Sequence, residues 1–445
     1  MKNTRRDFVK KATLGAAGLA IGGAGFSAGS YSRIVGSNSR INFAAVGTNG
    51  RGLANIQAVL ACTGTAVTHI CDVDSRALKK GIDQVKNLSN SGAAGIDDFR
   101  KLIENKDIDA VTIATPDHWH APMAIMAAKA GKHVYLEKPS SHNPWENEIL
   151  VEVYEKTGKV IQMGNQQRSA PTSIEAVERI RKGEIGKPYF GKAWYANTRG
   201  PIGIGKTVPV PGWLNWDLWQ GPAPRTAYRD NIVHYNWHWF WRWGTGELLN
   251  NATHELDVCR WALGVDYPDK VSAFGGRMHH DGDDWEFYDT QVVNYQYGDD
   301  KLITWEGKSS NGLPDYNMSR GSLIQGTEGS FILHRNGFTL YDNNGEVVEE
   351  KKESGKSETT GIMGSGSLDV LHMYNFLEAI RNKGKLHSPV NDGAVSVNLC
   401  HLGNISQKVG RQLNINSSNG KILNDSEAMT LWKRDYEKGW EPAAI

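Results

Sequence analysis

Two kinds of apolar run alternate through the first third of the chain. Short runs at 41–46, 66–71, 109–114, 133–136 and 159–163 are rich in Val, Ile and other strand formers, and read as buried strands. Between them, residues 53–60, 75–88, 97–104, 121–130 and 144–157 carry apolar positions at helical spacing. Strands alternating with helices of this length build a doubly wound parallel sheet, which we place at residues 40–166. Further on, a helix at 172–182 and a strand at 187–198 precede an irregular stretch at 200–244. A helix then runs to about residue 263, and runs at 270–279, 288–297, 302–308, 321–326 and 330–333 alternate polar and apolar residues, as an antiparallel sheet with one covered face does. Residues 354–366, rich in Gly, Ser and Thr, read as a loop, and helices at 368–382 and 392–410 return toward the first domain. The second domain is therefore 167–445.

Polar groups fall where these strands end. In an open parallel sheet, ligands bind outside the carboxyl ends of the strands. The first strand runs into Gly47-Thr48-Asn49-Gly50-Arg51-Gly52 and then a helix, the setting a dinucleotide fingerprint requires. Gly47 makes the turn, Gly52 lets helix and strand approach, and the backbone N–H groups of the helix start face a pyrophosphate. Asn49 stands where the fingerprint has its second glycine; Asn tolerates positive φ, and Gly50 beside it relaxes the loop. The second strand ends in Asp72, a carboxylate that accepts from ribose hydroxyls and repels a 2′-phosphate, favouring NAD, while Arg76 keeps NADP open. Thr115-Pro116 and His120 follow another strand, and Glu137-Lys138-Pro139 ends the strand at 133–136, where proline forbids further ladder pairing. Gln166 and Arg168 follow the last strand of the domain.

The glycine loop, Asp72, Ala114-Thr115-Pro116 with His120, Gly131-Lys132-His133-Val134 and Glu137-Lys138-Pro139 together resemble the Gfo/Idh/MocA family of sugar and inositol oxidoreductases. The resemblance implies a Rossmann domain followed by an α/β domain whose large, open, mostly antiparallel sheet walls the substrate pocket and supports a homo-oligomer, a dimer or tetramer. It also implies that Lys138 lies beside the nicotinamide and the substrate hydroxyl. Asn250 and His254, spaced i and i+4, resemble the family's second catalytic motif, with Asn250 where the family has Asp. An Asp would stabilise an imidazolium; an Asn only orients the ring through a neutral hydrogen bond.

Composition narrows the partners. Lys and Arg number 50 against 49 Asp and Glu, leaving no field to gather nucleic acid or anionic lipid. Four cysteines, Cys62, Cys71, Cys259 and Cys400, show no metal spacing, and no metal is expected. Of the 15 tryptophans, many fall between 194 and 261, where flat rings suit sugar faces as well as cores. Most in the 200–244 loop are expected to pad a small core, while His234, Tyr235, Trp237, His238 and Arg242, with Arg168, are the candidates to reach a substrate. Arg5-Arg6 before a mildly apolar, Gly/Ala-rich segment reads as a twin-arginine export signal over 1–30, hence a folded, cofactor-loaded periplasmic protein with no spanning segment after cleavage.

These residues predict an enzyme with tightly bound NAD acting on a secondary hydroxyl of a sugar. His254 is the expected base and Lys138 the orienting cation, with their roles open to exchange. Two alternatives use the same parts: a glycosidase or lyase that returns the hydride so that NAD is never consumed, and a sugar-binding protein on an inactive scaffold.

Overall fold

In a computed structural model, residues 40–353 and 367–445 are described; the expected export signal at 1–30 and loop at 354–366 lie outside the described residues. The short apolar runs form β1 (Ile41–Val46), β2 (Thr65–Cys71), β3 (Ala94–Ile96), β4 (Ala110–Ile113), β5 (His133–Leu136) and β6 (Ile161–Met163). They are joined through helices α1 (Arg51–Ala61), α2 (Ser75–Ser89), α3 (Phe99–Ile103), α4 (Asp117–Lys129) and α5 (Pro144–Thr157). The strands lie parallel in the order β3-β2-β1-β4-β5-β6. Every residue of β4 is buried, as expected where helices cover both faces. Local chemistry sets the helix ends: Asn143 caps α5 by accepting from Glu146 N (3.1 Å), Pro144 opens its first turn, and Gly158 leaves it in the left-handed region at φ 61°.

The second sheet contains β7 (Pro188–Ala196), β8 (Lys270–Gly276), β9 (Thr290–Tyr297), β10 (Lys301–Lys308), β11 (Arg320–Gly326), β12 (Ser330–His334), β13 (Gly337–Tyr341), β14 (Val347–Lys352) and β15 (Leu413–Asn414). Its order is β14-β13-β12-β11-β7-β10-β9-β8-β15, antiparallel except where β10 runs parallel to β7. The further α-helices among the described residues are α6 (Pro171–Arg181), α7 (Trp216–Gln220), α8 (Thr253–Leu263), α9 (Ser367–Ile380), α10 (Val390–Val409) and α11 (Ser426–Met429). Val271, Val293, Tyr295 and Ile303 are buried on the covered face, whereas Phe274 is 71% exposed on the other. Phe376 of α9 meets Phe43 of β1 and Tyr135 of β5 edge-on, at 6.2 and 5.8 Å between centroids. α10 serves both domains, with Val390 in the core around β4 and β5, and Gly403 close against Leu248 and Tyr295.

Four strands were not anticipated. β3 and β15 are too short for a periodic signal, β13 lacks a strong one, and β14 (VVEEKK) wears the charges by which an edge strand resists further pairing. As expected, most of the loop tryptophans pad a core, in which Trp216, Trp219, Phe240 and Trp243 are buried together. The cysteines are free and buried, and burial pushes the Cys62 thiol up to about 11. No helix among the described residues is long and apolar enough to cross a membrane.

Candidate active site

The sheet order reverses between β1 and β4, and the crevice beyond their carboxyl ends opens there. Gly47 turns the chain at φ 79°, and a Cβ on it would come within 2.6 Å of Ala114 O. Gly52 packs closer still, since its added Cβ would meet Gly47 O at 1.7 Å. The two glycines thus act through close backbone approach, with Gly52 behind the cavity wall. Asn49 does not adopt the positive φ anticipated for it; Gly47 takes the turn, and the Asn49 amide oxygen accepts from Lys80 Nζ (3.2 Å). Gly50, at the start of α1, has no side chain to cap the helix, so its first N–H groups are available to an anion.

A cavity of about 490 Å³ runs from this glycine loop across the strand ends to the second domain. Asp72 lines it, with Oδ2 accepting from Thr48 N (2.7 Å) and Oδ1 from Asp74 N (2.9 Å). Burial raises its pKa, partly offset by those two N–H bonds. Thr115 and Pro116 line the next section of wall. His120 donates from Nδ1 to Pro139 O (2.6 Å), and its buried Nε2 has no hydrogen-bond partner among the described residues. The glycine cradle, the uncapped helix start, Asp72 and this orphaned nitrogen fit a dinucleotide lying across the strand ends.

Glu137 and Lys138 leave β5 in opposite tasks. Glu137 accepts from Arg51 Nε (2.8 Å), and Arg51 also reaches Asp369 (2.5 Å). Burial opposes the Glu137 charge, but Arg51 and Lys138 together hold it below the ordinary carboxylate range. Gly164 leaves room for it, since a Cβ there would meet Glu137 Oε2 at 2.7 Å. Gln166, with its amide turned to donate to Gly164 O (2.7 Å), accepts from Arg51 Nη2 (2.7 Å). Glu137 and Gln166 therefore line the cavity and also fix Arg51 at the head of α1.

Lys138 reaches across to the second domain. Its Nζ donates to Asn250 O (2.6 Å) and to Asn250 Oδ1 (3.0 Å). Burial lowers its pKa to about 8, with Asp117 and Glu137 working the other way. Asn250 lies in a single π-helical turn, Leu248–Ala252, that leads into α8, a feature common at functional sites. Against the expectation from i, i+4 spacing, the Asn250 side-chain oxygen accepts from Lys138 and not from His254. His254 lines the same cavity, and burial together with Arg335, Lys138 and Arg320 drives its pKa well below 6.5.

The aromatic loop forms the remaining wall. Trp237 and His238 are stacked at 3.6 Å and 18°, with His238 Nδ1 donating to Tyr235 O (2.5 Å); burial lowers its pKa to about 3. Tyr235 holds φ 80°, a strained backbone for a non-glycine residue, and its hydroxyl accepts from Arg199 Nη1 (2.6 Å). Arg199 is held in turn by Glu247 (2.6 Å), and Arg320 by Glu255 (2.7 Å). Two expected substrate contacts lie elsewhere. Arg168 forms a buried pair with Asp257 (2.7 Å) and reaches Asp392 (3.0 Å), joining three segments behind the site. Arg242 is exposed and donates to Pro224 O (3.1 Å), since the loop turns it away from the cavity. Tyr195, Arg199, Arg320 and Arg335, unanticipated, line the cavity from strands and turns of the second sheet.

Comparison with known proteins agrees with this geometry. A family model described as oxidoreductase family, NAD-binding Rossmann fold, matches residues 41–165. A second, oxidoreductase family, C-terminal alpha/beta domain, matches 204–415. A glycosyl hydrolase family 109 protein of Parabacteroides distasonis is 27% identical over 86% of this chain and 89% of its own length. An alpha-N-acetylgalactosaminidase of Tannerella forsythia is 26% identical, with the same shares covered. Among solved structures, the WlbA dehydrogenase of Bordetella pertussis, in complex with NADH and UDP-GlcNAcA, aligns with TM-score 0.63 at 19% identity, covering 85% of this chain and 99% of its own. Aldose-aldose oxidoreductase of Caulobacter crescentus aligns with TM-score 0.64 at 17% identity, covering 84% and 100%. At such identities the two structures establish the fold alone.

Proposed function

Because this chain belongs to the Gfo/Idh/MocA oxidoreductase family and carries its NAD-binding Rossmann domain, we propose that it oxidises a secondary hydroxyl of a sugar or sugar derivative. The observation that carries this reading is Lys138, placed where the glycine-lined cleft meets the aromatic wall, with two of its N–H directions fixed by Asn250. As the neutral amine it presents its lone pair to a substrate hydroxyl and takes the proton as the carbinol gives up hydride. A pKa near 8 suits that task, because a general base works best with a pKa close to the operating pH. His254, with a much lower proton affinity, is the poorer base and serves as a neutral hydrogen-bond partner, so the roles first expected for the two are exchanged. Bound NAD supplies the hydride acceptor. Trp237 offers its face to the sugar ring, and Arg199 and Arg320 offer donors to its hydroxyls.

A second reading has specific support. Relatives matching 86% of this chain carry glycosidase names. In that reading the same oxidation acidifies the neighbouring C–H, the proton passes to a cavity histidine such as His254 or His238, and the glycosidic oxygen departs with the electron pair. Water then adds, and return of the hydride and protons makes the net reaction hydrolysis. Export by the twin-arginine route would favour it, since the periplasm offers no dinucleotide pool. The apolar pair Phe274 and Val292, facing each other across β8 and β9 on the open face of the sheet, suits a homo-oligomer.

One experiment separates these readings. Purified protein is denatured and any released dinucleotide identified; folded protein is then incubated with free sugars and glycosides while NADH and liberated sugar are followed. NADH without sugar release supports the dehydrogenase. Sugar release without net NADH supports the glycosidase, and neither product with any substrate, despite bound NAD, leaves the binding protein. For the cofactor itself, Asp72→Ser is expected to weaken NAD by about 10- to 100-fold, the worth of a hydrogen bond to a charged group, and to improve NADP. Unchanged preference in direct titrations would remove Asp72 from the ribose site.

A further inference from the structure

The turn after β2 is held by the second domain as well as by its own. Ser75 N donates to Trp213 O (2.9 Å), and Asn215 N donates to Val73 O (3.0 Å), so the 213–215 segment of the aromatic loop pairs with the residues that follow Asp72. Asp74 and Leu214 form an antiparallel bridge between them. From farther along the same loop, His234 sets Nε2 at 2.7 Å from Asp74 Oδ2. Asp74 is buried, and its backbone N–H is one of the two main-chain donors that fix the Asp72 carboxylate. The loop therefore reaches Asp72 through a single intervening residue. His234, Leu218 and Trp219 line the cavity on this side together with Val73, which places the loop as a roof over the Asp72 corner.

Arg76 is caught in the same arrangement. Its Nε and Nη2 donate to the two oxygens of Asp74 (3.1 and 2.8 Å), and its guanidinium lies 3.4 Å from the centroid of the Trp213 ring. Trp213 in turn stacks at 27° on His234. Arg76 is the cation that could have met a 2′-phosphate. To do so it would have to leave both the bidentate pair and the ring, a poor exchange for a residue whose planar fork is already matched.

We propose that Trp213 and His234 form a clamp over the adenosine end of the cleft that retains the dinucleotide and, by sequestering Arg76, selects NAD over NADP. The proposal rests on NAD lying along the ends of β1 and β2 with its ribose at Asp72. Selection is then divided: Asp72 accepts from the ribose hydroxyls, and the clamp denies the 2′-phosphate its cation. Release of NAD requires the loop to lift from Val73, Asp74 and Ser75.

The test uses the folded chain without substrate. Dissociation of NADH is followed by fluorescence, and affinities for NADH and NADPH are titrated, in wild type, Trp213→Ala/His234→Ala, and the same double variant with Arg76→Ala. The double variant is expected to lose NADH about tenfold or more faster, the loss expected for a hydrogen bond to a charged group, and to bind NADPH better relative to NADH. Adding Arg76→Ala should abolish the NADPH gain and keep the fast release, a pattern that general loosening of the fold would not produce. Unchanged release, or an NADPH gain that survives Arg76→Ala, overturns the clamp. Should the double variant fail to fold, hydrogen exchange of the wild-type chain decides: NADH must slow exchange of the Ser75 and Asn215 amides, and unaltered exchange overturns the proposal. A wild-type chain that binds neither nucleotide would overturn the reading of the cleft itself, a result distinct from tight binding with an unchanged release rate.

Discussion

Lys138→Met is expected to lower turnover by about 100-fold or more, a loss typical of removing a positioned general base or charge stabiliser, while NADH still binds. The methionine keeps most of the lysine stem, so the wall of the cavity is preserved. What disappears is the nitrogen that Asn250 holds with its main-chain and side-chain oxygens. Both oxygens then lose a donor, and some thermal stability goes with them. Fluorescence titration of NADH separates the two effects, because the glycine loop, Asp72 and His120 are untouched. Turnover near the wild-type rate would reduce Lys138 to a structural tie between the domains.

The contrast between the halves of the molecule shows what a sequence can carry. Around β1, α1 and β2 the dinucleotide cleft is built within a short span, so the glycine spacing and the strand-ending Asp72 are legible in the chain alone. Glu137-Lys138-Pro139 is legible for a related reason: a run of apolar residues that stops on charges leaves those charges at the carboxyl end of its strand. The opposite wall is not legible. Arg199, Arg320 and Arg335 come from the segment after β7, from β11 and from the turn after β12, and only the strand order of the second sheet brings them to one cavity. Arg168 misleads because it stands just beyond a strand end in the sequence, whereas Asp257 and Asp392, far along the chain, bury it. Arg242 misleads because neighbouring positions in an irregular loop need not share a face. Asn250 stands in the π-helical turn ahead of α8, and its side-chain partner is Lys138. Helical spacing put it near His254, but the π-helical turn and the reach of Lys138 across the domain boundary decided the contact instead.

That contact sets the remaining prediction. With Lys138 as the base, kcat/KM for hydroxyl oxidation rises as pH passes through about 8, because only the neutral amine has a lone pair to accept the proton. Asn250→Asp replaces an amide oxygen 3.0 Å from Nζ by a carboxylate. An opposite charge at that range favours the ammonium and raises its pKa by about 1 to 3, so the acid limb of the profile moves to higher pH by the same amount. At pH 7 the variant then loses about tenfold in kcat/KM for every pH unit that the limb moves, and regains it in alkali. Were Lys138 instead the cation that holds the developing alkoxide, activity would fall above pH 8, and Asn250→Asp would extend it upward. A His254 base predicts a third pattern, an acid limb below 6.5 that Asn250→Asp leaves nearly in place, since the exchanged atom faces the lysine. An acid limb that stays at about 8 in Asn250→Asp, with turnover intact, would show that Lys138 is not the titrating base or that Asn250 does not govern it.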